Sequence, residues 1–184
     1  EYTATTAGVS RAAQDAFAAE SHARAVAAQQ GGKFTAEIVP VELPGKKGVT
    51  VVDADEGPRA DTTADSLAKL RPAFPGSGDP ATLSVTAGNA STLNDGAAAL
   101  VVTSAAYAAA HGLPVLARIT GHATGAGEPR DLFFAPITAV RNLMARTGTS
   151  IGDFDLIEAN EAFASQALAD GAALGWDPAR VNVH

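Results

Sequence analysis

The sequence predicts an α/β protein, and three observations carry that prediction. In the second half, short apolar runs at Ala97–Val102, Val115–Thr120 and Phe154–Ala159 alternate with helical stretches. That order makes βαβ units and a parallel sheet. In the first half, an alanine-rich stretch without Gly or Pro extends from Ser10 to Gln30 and reads as one helix. Two strand-like runs follow, joined by Pro44-Gly45-Lys46-Lys47-Gly48, a hairpin-type connection.

Taken in order, Ser10 caps the first helix, Glu20 and Arg24 form an i,i+4 pair on it, and Gly31-Gly32 end it. His22, in its middle, reads as a surface or core-edge residue. The hairpin strands are Ile38–Leu43 and Val49–Ala54. Asp53, Asp55 and Glu56 lack the spacing of a calcium loop and read as an acidic strand end. Thr63–Leu70 predicts a short helix that stops before Pro72. Pro75–Pro80 is a flexible loop and the best internal boundary. Ala97–Val102 has the length and composition of a strand buried on both faces. Ser104 caps a helix running to about Ala110, which His111-Gly112 close. After the strand Val115–Thr120, His122 sits among glycines in a loop. Pro136–Thr147 is a helix with proline in its first turn, Gly148 beyond its end, and Ile137, Val140 and Met144 on its buried face. Phe154–Ala159 is a strand and Glu161–Leu174 a helix.

Composition narrows the function classes. A chain of 184 residues with 46% apolar and 18% charged residues can bury a sizeable core and is not disordered. No apolar run approaches the roughly twenty residues needed to span a bilayer, and no signal peptide opens the chain, so the expectation is a cytoplasmic protein. A net charge of −7 argues against nucleic acid and against an anionic membrane surface as partners. The positive charge is nonetheless local. Lys46, Lys47, Arg59, Lys69 and Arg71 fall in one stretch, and no lysine follows Lys69, so a basic patch can meet a phosphorylated ligand. There is no cysteine, which excludes disulfides, thiolate metal sites and a cysteine nucleophile within this chain.

Two stretches hold the candidate site residues. Thr86 to Gly96 crowds Gly88, Asn89, Ser91, Asn94, Asp95 and Gly96 into one small, polar run. Small residues let a ligand approach the main chain, where amides and the Ser91 hydroxyl can donate. The competing reading is an ordinary loop with Asn94-Asp95-Gly96 as its turn. Asn160 sits where a strand gives way to a helix. It reads either as an N-cap or as a ligand contact, since ligands in open α/β sheets gather at carboxyl ends of strands. Glu161 is explained by the favourable field of a helix N-terminus.

The motif TAGNAS (Thr86–Ser91) followed by NDGAAA (Asn94–Ala99) resembles the corresponding segment of the thiolases, the acyl-CoA acyltransferases. A second block, Glu158-Ala159-Asn160-Glu161-Ala162-Phe163-Ala164, is similar to the NEAF motif of that family, in the same order and separation. Gly8 to Phe74 also reads like the family's loop domain; Thr92, however, stands where many members carry glycine. The resemblance implies a layered α/β core portion plus a loop domain with a helix and a β-hairpin. It divides the chain into a partial loop domain (1–83), the end of a first core half (84–114) and the start of a second (115–184). It implies an acyl-CoA substrate and no further cofactor, coenzyme A being part of that substrate, and a homo-oligomer for the intact enzyme. Asn160 is implied to orient a water in an oxyanion hole for the thioester enolate, a task an amide performs without releasing a proton. Ala87, Gly88, Ala90 and Ser91 are implied to line the pantetheine channel, Phe163 to pack against the same arm, and Arg59 to lie near the nucleotide end, attracting phosphate or stacking on adenine.

The family's two catalytic cysteines and its Gly-His-Pro histidine have no counterpart in this sequence. The expectation is therefore an interior piece of a longer enzyme that makes or cleaves a 3-oxoacyl-CoA, by Claisen condensation or thiolysis, the piece alone being inactive. The alternative is a non-catalytic, thiolase-like acyl-CoA or lipid carrier. A nucleotide-binding reading of the glycine-rich loop has no P-loop or dinucleotide pattern behind it.

Overall fold

The computed structural model describes residues 1–46 and 48–184. Helix α1 is Tyr2–Ala7 and α2 is Arg11–Gln30, with Ser10 Oγ accepting from the Ala13 amide at 3.2 Å as the N-cap. Strands β1 (Val41–Gly45) and β2 (Gly48–Val52) pair antiparallel, Val41 opposite Val52 and Gly45 opposite Gly48. The hairpin is present, but its strands are displaced towards the turn from the expected Ile38–Leu43 and Val49–Ala54. Pairing continues into the flanking glycines, and Gly48 adopts a φ of 125°, a conformation open to glycine and rarely to other residues. Lys47, one of the expected basic cluster, lies outside the described residues.

Helix α3 (Ala64–Ala68) starts at a capping box in which Thr63 and Ser66 each accept from the other's amide, at 3.1 and 3.0 Å. It ends earlier than the expected Leu70, whose amide turns back to the Leu67 carbonyl at 2.9 Å. Helix α4 (Ala105–Ala110) is capped by Ser104. A 3₁₀ turn, Pro129–Phe134, leads into α5 (Ala135–Thr147), and Gly148 closes α5 in the left-handed conformation. Ile137 is its buried residue, with Val140 and Met144 half-buried. Helix α6 (Ala164–Leu174) is the centre of the packing: α1, α2 and α5 all lie against it. Ala164, Ala167, Ala169 and Leu174 are buried on it together with Ser165, Gln166 and Asp170. A helix covered nearly all round must be apolar and small on most faces, and the alanines let its neighbours approach. Among the described residues no helix is long and apolar enough to cross a membrane.

Three expected strands and one helix start need correction. Among the described residues Ala97–Val102 and Val115–Thr120 form no strand, and their side chains face outward: Leu100 is 90% and Leu116 98% exposed. Their composition suits a strand, but a strand exists only through ladder bonds to a neighbour, and no described segment lies alongside. Of Phe154–Ala159 only Ile157 pairs, through a parallel bridge to Val181. The expected parallel sheet is reduced to that bridge, and the hairpin is the regular sheet of the described residues. Helix α6 begins at Ala164 rather than Glu161 because the preceding residues are held by another segment. The Ser91 amide donates to the Ala162 carbonyl at 3.1 Å, and the Ala164 amide to the Asn89 carbonyl at 3.0 Å. Phe163, not Asn160, therefore stands at the N-cap.

Candidate functional site

Two adjoining cavities collect the candidate residues. The larger, about 660 Å³, is walled by α2 (Phe17, Ala18, Ser21, His22, Ala25), by the loop Glu56–Arg59, by 87–92, and by Glu161 and Ala164. Its size is within the range of small-molecule sites. The smaller, about 450 Å³, is lined by Ser21, Arg24, Ala25, Glu158–Glu161, Asn182 and His184. Ser21, Ala25 and Glu161 belong to both walls, so the two openings are contiguous. Arg59, Ala87, Gly88, Ala90 and Ser91 thus come together in the larger cavity, and Asn160 in the smaller. Phe163 lines neither; its backbone bridges Ala90 and its ring packs edge-on against Phe133, centroids 5.1 Å apart.

The wall at 84–91 is fixed by buried polar bonds to α2 and α3. The Asn89 side chain is fully used: Oδ1 accepts from the Thr86 amide at 2.8 Å, and Nδ2 donates to Asp15 Oδ1 at 2.9 Å and to the Ser84 carbonyl at 3.0 Å. Asp15 Oδ2 accepts from Arg11 Nε at 2.7 Å. Arg11 Nη2 then donates to the Leu67 and Leu70 carbonyls at 2.7 and 2.9 Å, satisfying the C-terminal end of α3. Gln14 adds a bond to Ser84 Oγ at 3.0 Å. A Cβ on Gly88 would collide with Leu67 Cδ2 and lie 2.6 Å from Leu70 Cδ1. The packing of α3 on the loop thus disfavours a side chain at this position, independently of any ligand. With its core side so anchored, the loop presents an exposed Ala87 and Ser91 and half-buried Gly88 and Ala90 to the cavity.

The other wall is built around Asn160. Asn182 adopts a left-handed φ of 46°, which asparagine tolerates better than most residues. From there its Oδ1 accepts from the Ala159 amide and its Nδ2 donates to the Ala159 carbonyl, both at 2.8 Å. The same Nδ2 donates to Glu161 Oε1 at 2.7 Å, while Glu161 Oε2 accepts from Ser21 Oγ at 2.5 Å. Glu161 is thus a strut between α2 and Asn182, not the helix-end charge expected from sequence. The residues flanking Asn160 are held from both sides. Its own side chain is exposed and makes no hydrogen bond among the described residues, which leaves the amide open to a ligand or water.

Residues 1–106 match the thiolase N-terminal domain and residues 113–184 the thiolase C-terminal domain. The chain belongs to the thiolase family. The acetyl-CoA acetyltransferase of Pseudomonas aeruginosa is 53% identical over 178 residues, which are 96% of this thiolase chain and 44% of that protein. The beta-ketoadipyl-CoA thiolase of Pseudomonas knackmussii is 52% identical over 176 residues, 95% of this chain and 43% of the relative. The chain therefore spans less than half the length of these relatives. The crystal structure of the Bacillus anthracis acetyl-CoA acetyltransferase matches with a TM-score of 0.89 at 41% identity, over 98% of this chain and 45% of that one. The α/β class read from the sequence is thus that of the thiolases, although several strand-like segments lack a ladder partner among the described residues.

Sequence reasoning gave no holding role to Arg11, Asp15, Asn89, Glu161 and Asn182, which fix the walls of the site. Arg11 and Asp15 carried a local signal, an oppositely charged pair one helical turn apart. The tie of Asn89 to Asp15 and that of Asn182 to Ala159 carried none, since these partners lie 74 and 23 residues away.

Proposed function

We propose that the protein carrying this chain is a thiolase-type acyltransferase acting on acyl-CoA thioesters, in Claisen condensation or thiolysis of a 3-oxoacyl-CoA. The observation that carries this reading is the contiguity of the two cavities. A pantetheine arm lying along Ala87, Gly88, Ala90 and Ser91 directs its thioester towards Asn160, and its nucleotide towards Arg59. The names of the relatives agree on a CoA thioester and differ in the acyl group, so the CoA portion is the part this reading assigns. Asn160 holds a water towards the thioester oxygen, where negative charge develops, and Ser91 Oγ, exposed and unbonded among the described residues, bonds an amide of the arm. This chain alone forms no acyl-enzyme, having no cysteine.

Replacement of Asn160 tests the reading. Because Phe163 and not Asn160 stands at the helix N-cap, Asn160→Ala and Asn160→Asp keep a near wild-type melting temperature. Each lowers kcat on the order of a hundredfold to a thousandfold, the usual cost of losing one oxyanion-stabilising group. Thiolysis of acetoacetyl-CoA is the assay. Near wild-type kcat in both variants removes Asn160 from the chemistry, whereas acyl-CoA binding without any thiolysis in the wild type favours the non-catalytic carrier.

A further inference from the structure

The loop that carries Arg59 is tied to α2 by two side chains. Gln29 Nε2 donates to the Asp55 carbonyl at 3.2 Å, and the Arg59 amide donates to His22 Nδ1 at 3.2 Å. His22 and Gln29 are seven residues apart, close to two helical turns, so they lie on one face at a separation of about 10 Å along the axis. The loop has few other holds: positions 53–57 and Arg59 are exposed, and its one further main-chain bond among the described residues joins the Thr62 amide to the Arg59 carbonyl at 3.3 Å. The two ties from α2 set where Arg59 leaves the backbone.

We infer that His22 is a positioning residue for Arg59, its neutral imidazole fixing the arginine at the mouth of the larger cavity to meet the nucleotide end of a CoA ligand. The inference rests on the reading of Arg59 given above. A ring nitrogen that accepts from an amide carries no proton, so the proton of the neutral ring is on Nε2. The other charged groups on this cavity are Glu56, on the same loop, and Glu161, ahead of α6; neither bonds His22.

The test compares binding of coenzyme A and of pantetheine, which lacks the nucleotide, to the protein that carries this chain. His22→Ala weakens coenzyme A binding about threefold to tenfold, what one hydrogen bond supplies, and leaves pantetheine binding unchanged. His22→Asn, whose Oδ1 can accept the same amide and cannot be protonated, restores affinity. Wild-type affinity in His22→Ala, or equal weakening of both ligands, overturns the proposal. Arg59→Ala separates the two readings. If it weakens coenzyme A binding while His22→Ala does not, positioning alone fails; if it changes nothing, the nucleotide reading fails and the positioning role falls with it.

Discussion

Two aspartates are equally hidden in this molecule and differently treated. Asp15 is 2% exposed and Asp170 1%. Asp15 meets a guanidinium on one oxygen and an amide on the other, from Arg11 and Asn89. Asp170 receives one bond, from Gln166 Nε2 at 2.5 Å, and its Oδ1 has no partner among the described residues. Burial disfavours a carboxylate unless donors replace the lost water. At Asp15 they do, and the residue joins α2, α3 and the 84–91 wall of the site. At Asp170 they do not, and burial raises its pKa above the ordinary value, with the Gln166 bond opposing the shift. The first cluster stabilises the site; the second is a cost carried by the central helix.

The largest expected effect breaks the first cluster. Asn89→Ala leaves the Thr86 amide, the Ser84 carbonyl and one oxygen of Asp15 without their partner, all in buried surroundings. Unfolding free energy falls by about 3 kcal/mol or more, as unmade buried bonds cost about 1–3 kcal/mol each. Urea denaturation of the protein that carries this chain measures it. A loss under about 0.5 kcal/mol, the range of ordinary surface changes, means that the Asp15 cluster does not anchor the loop.

The next variant probes the same wall from its apolar side. Gly88→Ala drives a methyl into Leu67 and Leu70. Leu67 is 5% exposed and has little room to yield, so the substitution costs about 1–3 kcal/mol, as overpacking does. A double variant with Leu70→Ala recovers part of that loss if the clash is the cause. Absence of any recovery assigns the loss to something other than leucine packing.

How much of this was legible in the sequence follows from how local each cause is. Helix α2, the Ser10 and Ser104 caps and the hairpin depend on neighbours within a few residues, and they are found near where the pattern puts them. Candidate residues drawn from family motifs converge on two joined cavities, apart from Phe163, whose ring faces Phe133. The strand at Ala97–Val102 was not decidable locally, because an apolar run specifies readiness to pair and not the presence of a partner. The cap alternative for Asn160 arises because the pattern places the strand-to-helix junction three residues early. The cause of that displacement, pairing of 162–164 with 89–91, joins residues about seventy positions apart.

The smallest effect belongs to Asp170 and has the opposite sign. With its native pKa above the unfolded one, the folded state binds more protons between the two values. Stability contributed by this group is full below the ordinary value near 3.8 and declines as pH rises through the raised native value. The loss is bounded, since the native carboxyl can keep its proton and remain neutral until the solution pH exceeds that value. The cost of the buried charge is probed with Asp170→Asn, which keeps an oxygen to accept from Gln166 and has nothing to ionise. The melting temperature of this variant therefore exceeds that of the wild type at pH 7, and the gap narrows as pH is lowered towards 4. Asp153 provides an internal contrast. Bonds from the Ser150 amide and hydroxyl hold its carboxyl below the usual range, so any stability it adds is lost on acidification and survives in Asp170→Asn unchanged. A gap between Asp170→Asn and wild type that stays constant from pH 4 to 7 would mean that packing, and not the buried charge, distinguishes Asp170 from Asp15.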